Sequence, residues 1–115
     1  MEKIENREGG ITLIYNSDRL DDRQALTYLR GIDKKLRAID IVEERLSESE
    51  IIALAKEMDV DLQSLVDSNN RLLYHEIENG NLSKESLLKL LSLRPDFLKT
   101  PIAVWNGKVK YWDSA

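Results

Sequence analysis

The sequence predicts an α/β (α+β) domain: a four-stranded sheet of mixed direction flanked by helices. Three observations carry this. A β-prone run, a helix and a second β-prone run open the chain; helices with explicit caps fill its middle; two apolar runs joined by Asn106-Gly107 close it. Strand, helix and strand in that order imply parallel neighbours joined by a right-handed crossover. A two-residue turn joins antiparallel strands. Together they give a βαβ unit, a helical insertion and an αββ end.

Ile11 to Tyr15 is apolar and bounded by Gly10 and by Asn16-Ser17, which reads as a buried central strand. From Asp21 or Asp22 the apolar residues return at helical spacing. Ala25, Leu26 and Leu29 point inward, acidic residues sit at the positive end, and Gly31 is expected just past the last turn. Leu36 to Val42 is the second strand. Ser47-Glu48-Ser49-Glu50 is a capping box, and Ile51, Leu54, Ala55 and Met58 follow on one helical face. Asp61 to Asp67 predicts a short helix with Leu62, Leu65 and Val66 inside. The segment from Ser68 to Gly80 is polar and is assigned no element. Ser83 caps a further helix bearing Leu87, Leu90 and Leu91, which Arg94-Pro95 ends. Ile102 to Trp105 and Lys108 to Trp112 then form a hairpin on a type I′ turn, because Asn and Gly accept positive φ at both central positions.

Composition narrows the function classes. The 115 residues suit one domain, expected over 11–115, with a core large enough to need no disulfide or metal; residues 1–10, charged and ending in two glycines, read as a flexible lead-in. There is no cysteine and a single histidine, His75, so a thiolate nucleophile, a cysteine metal site and a histidine-centred triad are all excluded or nearly so. Lys+Arg 17 against Asp+Glu 21 gives a net charge of −4 with no basic stripe, which argues against nucleic acid. No run approaches a membrane span, and the expected location is the cytoplasm. No cofactor and no metal are expected.

The wording of four segments, "ITLIYNS", "RQAL" at Arg23 to Leu26, "SLVDSN" and "TPIAV", taken with the element order, resembles the arsenate reductase and Spx-type branch of the thioredoxin fold from Ile11 to Asp113. The resemblance implies a nucleophilic cysteine in the loop after the first strand, four residues ahead of an arginine. Here Arg23 matches the arginine and Arg19 stands at the cysteine position. The family's oxyanion-binding arginines fall on Asp67, on Thr100 and loosely on Tyr111-Trp112, and Asp67 would repel an oxyanion rather than hold it. Thr100-Pro101 occupies the place of the family's cis-proline. The resemblance thus implies a bacterial scaffold kept without its chemistry: a protein-binding or regulatory module, with RNA polymerase as a partner by analogy with Spx-type relatives.

Two other classes remain open on these residues. One is an enzyme or binder that borrows an external thiol such as glutathione at the degenerate loop; the other is a small-anion binder. Asn16, Arg19, Arg23, Thr100 and Pro101 are the candidate ligand-binding residues for either. Asp18, Asp21 and Asp22 surround the two arginines and compete for their charge. His75 beside Tyr74 and Glu76 reads as a surface residue rather than an acid or base. Trp105, Tyr111 and Trp112 make either an aromatic docking surface or ordinary cross-strand packing under helices. Asp59, Asp61 and Asp67 lack the glycine and terminal glutamate of a calcium loop.

Overall fold

The computed structural model describes residues 10–112; most of the expected lead-in and the last three residues lie outside the described residues. The chain divides into two compact units, one formed by the segments up to Arg45 and from Thr100 onward, the other by Leu46–Lys99.

The first unit contains the sheet. Strand β1 (Ile11–Tyr15) leads into helix α1 (Leu20–Ile32) and then into β2 (Arg37–Asp40); the hairpin strands β3 (Ile102–Trp105) and β4 (Lys108–Tyr111) complete it. The strand order is β2-β1-β3-β4, with β1 parallel to β2 and antiparallel to β3, which is antiparallel to β4. This is the mixed sheet expected, with the apolar run Ile11–Tyr15 at its centre. Leu13 is buried against Leu26 and Leu29 of α1, and Ile11, Tyr15, Leu36, Ala38, Ala103 and Trp112 pack around them. On the opposite face Thr12, Ile14, Ile39, Ile102 and Val104 are buried. Asn106 (φ 50) and Gly107 (φ 75) both adopt positive φ in the hairpin turn. The Thr100–Pro101 peptide is cis.

Helix α1 starts at Leu20 rather than at Asp21 or Asp22, β4 ends at Tyr111 rather than Trp112, and the end of α1 and the extent of β2 also differ from those expected. Helix α1 runs through Gly31 to Ile32 and ends at Asp33, whose own N–H bonds the Leu29 carbonyl at 2.8 Å. The stop is tertiary rather than conformational: the Asp33 carboxylate accepts from the N–H groups of Ile11 (3.0 Å) and Lys35 (3.0 Å), so Gly31 is not needed as a left-handed cap. Strand β2 is also shorter than Leu36 to Val42. Its partner β1 supplies only Thr12 to Tyr15 for pairing, and beyond them Asp40 Oδ1 draws the Val42 N–H into a turn at 3.0 Å.

The second unit is helical. Helix α2 (Glu48–Met58) starts on the expected capping box, with Glu50 N–H to Ser47 Oγ at 3.2 Å and Ser47 N–H to Glu50 Oε1 at 2.9 Å. It buries Ile51, Leu54 and Ala55, while Met58 is half-buried. A 3-10 turn over Leu62–Leu65 stands where the second short helix was expected and buries Leu65. The polar segment to which the sequence assigns no element holds helix α3 (Arg71–Glu78), started by Asn70, whose side chain accepts from the Leu73 N–H at 3.3 Å. Leu73 is the one fully buried residue of this helix and Ile77, one turn on, is half-buried, so the helix is amphipathic but only eight residues long. Helix α4 (Lys84–Leu93) is capped by Ser83, packs on α2, and gives way at Arg94 to a 3-10 turn over Pro95–Phe97.

Candidate functional site

The loop between β1 and α1 is a tight polar turn. Asn16 begins it by accepting the Arg19 N–H at its carbonyl (3.0 Å) and the Asp18 N–H at its side-chain oxygen (2.8 Å), a pattern that Asn favours because its short amide mimics a backbone turn. Asp40, at the end of β2, holds the next residue by accepting the Ser17 N–H at 3.2 Å. Burial first, and then the Asp40 carboxylate, raise the pKa of the Tyr15 phenol above its ordinary value, so no phenolate forms beside the loop at neutral pH.

The centre of the site is a residue that sequence reasoning treated only as a competitor. Asp22, in the first turn of α1, is 1% exposed. Its Oδ2 accepts the Asn16 N–H at 2.9 Å and the hydroxyl of Thr100. Thr100 in turn accepts from Arg19 Nη1 at 3.0 Å. A continuous chain therefore runs from a guanidinium through a hydroxyl to a buried carboxylate and ends on a backbone N–H. The positive end of α1 favours a negative charge at this place, and the protein's own carboxylate supplies it.

Of the predicted site residues, Asn16, Arg19 and Thr100 are brought together by this chain. Pro101 follows Thr100 and accepts the Trp112 N–H at 3.0 Å. Arg23 does not join them: its Nη1 bonds the Ser17 carbonyl at 2.7 Å on the surface. Asp67 lies in the helical unit, where it accepts the Asn69 N–H at 3.0 Å. Asp59 closes α2 in the left-handed conformation (φ 57). Among the described residues no group of three acidic or histidine side chains could hold a metal. His75 is exposed on α3, with Nε2 3.1 Å from the Asn79 amide. No helix among the described residues is long and apolar enough to cross a membrane.

The residues missed were Asp22 as an organising acceptor and Asp40 as the clamp on Ser17. A carboxylate in the first turn of a helix is a legible signal. Its donors are not legible, because Thr100 lies 78 residues away in the chain.

No protein-family profile matches the chain, and no curated protein matches it. Solved structures do. The arsenate reductase from Vibrio cholerae superposes with a TM-score of 0.74 over 91% of this chain and 91% of that one, at 20% identity. An arsenate reductase (ArsC) related protein from Brucella melitensis superposes with a TM-score of 0.70 over 96% of this chain and 92% of that one, at 16% identity. The sheet order and these superpositions establish the fold as the thioredoxin-like one of the arsenate reductases, here in a chain with no cysteine.

Proposed function

We propose that this chain is a non-catalytic form of the arsenate reductase-type fold that works as a protein-binding module. The hydrogen-bond chain Arg19, Thr100, Asp22, Asn16 carries the reading. Thiol chemistry needs a sulfur nucleophile that arginine cannot replace. An oxyanion or a glutathione carboxylate at the helix start would meet the Asp22 charge already seated there, and like charges at such a distance repel. The arginines that could offset it are bonded to Thr100 and Ser17. The loop is built to be stable rather than to receive a ligand.

Exposed apolar side chains on α1 support the binding half of the reading. Leu20 (59% exposed), Tyr28 (57%) and Ile32 (61%) recur at multiples of four along α1, beside a shallow recess lined by Leu20, Arg23, Gln24, Thr27 and Tyr28. Exposed apolar side chains clustered on one helix mark interaction surfaces more often than isolated ones do. RNA polymerase, the partner implied by the Spx-type resemblance, is the first bait to try. The test has two arms. Arsenate reduction with glutathione and with a thioredoxin system is expected to stay at the buffer rate, and turnover abolished by Arg19→Ala would end the non-catalytic reading. In pull-downs with purified polymerase and with native extract, a partner retained by the wild type is expected to be lost in Leu20→Glu/Tyr28→Glu. Equal retention by both, or by neither, would remove the binding half.

A further inference from the structure

A second site lies on the same sheet, away from the loop, and is independent of the loop's role. The registers Ile11↔Trp105↔Lys108 and Leu13↔Ala103↔Lys110 put these side chains on one face of the sheet, the face on which α1 packs over Leu13. Helix α1 leaves the β3 and β4 end of that face open: Trp105 is 51% exposed and both lysines are exposed. A groove of about 410 Å3 results, within the range of small-molecule sites. Ile11, Leu29 and Ala103 form its apolar floor, and Trp105 and Trp112 line it as well.

One wall is fixed in advance. The Trp112 ring stacks on Tyr28 with centroids 5.9 Å apart and planes at 30°, and its backbone N–H is tied to Pro101. The charge on the described lining of the groove has one sign. Lys108 and Lys110 line it, two residues apart on one face and so about 7 Å apart along the strand. Among the described residues no carboxylate lines it, and burial pushes the Tyr111 hydroxyl up to about 12, so that residue adds no negative charge at neutral pH. Among the described residues neither lysine side chain makes an ion pair or a hydrogen bond.

We propose that this groove binds a small organic anion: a flat apolar body seated on Ala103 between the two tryptophans, with one carboxylate, sulfonate or phosphate group held by Lys108 and Lys110. Aromatic stacking and an apolar floor recognise the body, and paired ammonium groups recognise the head. Lysines on an edge strand also deter strand pairing between copies. That role alone requires neither the tryptophans beside them nor a shared face, and it predicts a different experimental result.

The probe is 8-anilino-1-naphthalenesulfonate, with N-phenyl-1-naphthylamine as the same aromatic body lacking the charge. The folded protein is expected to bind the sulfonate saturably, and both indole N–H resonances, the only two in the chain, are expected to shift together in an NMR titration. Lys108→Gln/Lys110→Gln should weaken the sulfonate roughly five- to tenfold while leaving the neutral compound within about twofold. Trp105→Ala should weaken both. Lys108→Arg/Lys110→Arg, which keeps the charge, should bind as the wild type does, and near-UV circular dichroism confirms that each variant is folded. The proposal is overturned by no saturable binding below about 1 mM, by equal affinity in the glutamine double variant, or by indole resonances that do not move. Concentration-dependent dimerisation that competes with the probe would assign the groove to a second copy of the chain and would equally overturn it.

Discussion

The loop after β1 and the groove beside the closing hairpin belong to one sheet and treat charge in opposite ways. In the loop, the buried Asp22 carboxylate is wrapped by an N–H and a hydroxyl, and the nearest guanidinium is bonded to that same hydroxyl. At the hairpin, two ammonium groups stand beside exposed aromatic surface. Polar groups satisfied by one another contribute to folding, whereas those left toward solvent cost folding little and remain available to a ligand. The contrast predicts that substitutions in the loop act on stability and that substitutions at the hairpin act on binding.

Asp22→Ala tests the first half most severely. It leaves the Asn16 N–H, part of a buried network, without its acceptor and strips Thr100 of its partner, so unfolding by urea should show a loss of about 3 kcal/mol. A loss below about 1 kcal/mol would mean that the network does not organise the loop. Thr100→Val keeps the side-chain shape and replaces the hydroxyl by a methyl group, so that both of its hydrogen bonds are lost; about 1.5 kcal/mol is expected. Since both variants remove the same bond, their double variant should cost clearly less than the sum. Simple additivity would contradict a single connected chain.

Tyr111 offers a pH test at the hairpin. Burial raises its pKa from 10.0 to about 12, so the folded state holds this proton more tightly than the unfolded chain. The sign follows: stability from this group is complete below about pH 10 and falls as pH rises toward 12, by on the order of 1 kcal/mol once its partial exposure to screening solvent is allowed for. Comparing wild type with Tyr111→Phe in urea across that window isolates the effect. Parallel curves would show that the phenol is no better shielded than in the unfolded chain. Smaller still are the expected costs of Trp105→Ala and Lys108→Gln, each within about 0.5 kcal/mol because the side chains are exposed. A large loss in either would make the groove a structural element instead of a binding one.

Arg19→Cys sharpens the comparison from the chemical side. The new thiol would sit at the N-terminus of α1, whose dipole favours the thiolate, but close to the Asp22 carboxylate, which opposes it. Alkylation by a small thiol reagent is expected, and arsenate reduction is not, since nothing positions the oxyanion for attack. Restored turnover would show that an oxyanion cradle survives in this loop.

Elements whose cause lies within a few residues were legible in the sequence. The Ser47 and Glu50 capping box, the Asn106-Gly107 turn and the buried run from Ile11 each rest on contacts or dihedral preferences that span at most five residues. The absence of cysteine likewise means that the sequence supplies no thiolate of its own, whatever the chain's tertiary contacts are. What only the tertiary structure decided depends on partners far away in the chain. Helix α1 passes Gly31 because Asp33 reaches Ile11; β2 stops at Asp40 because β1 has no further residues to pair; α3 presents only Leu73 and Ile77 inward over eight residues, too few for its period to stand out in a polar segment. The same holds for the site. Arg19 and Thr100 could be named from resemblance, and the spacing of Asp22 from Ala25, Leu26 and Leu29 already places it on the inward face of α1, but the sequence does not show which donors it meets there. Folding selects Asp22 alone for burial, because only its position in the first turn of α1 meets both a loop N–H and the Thr100 hydroxyl.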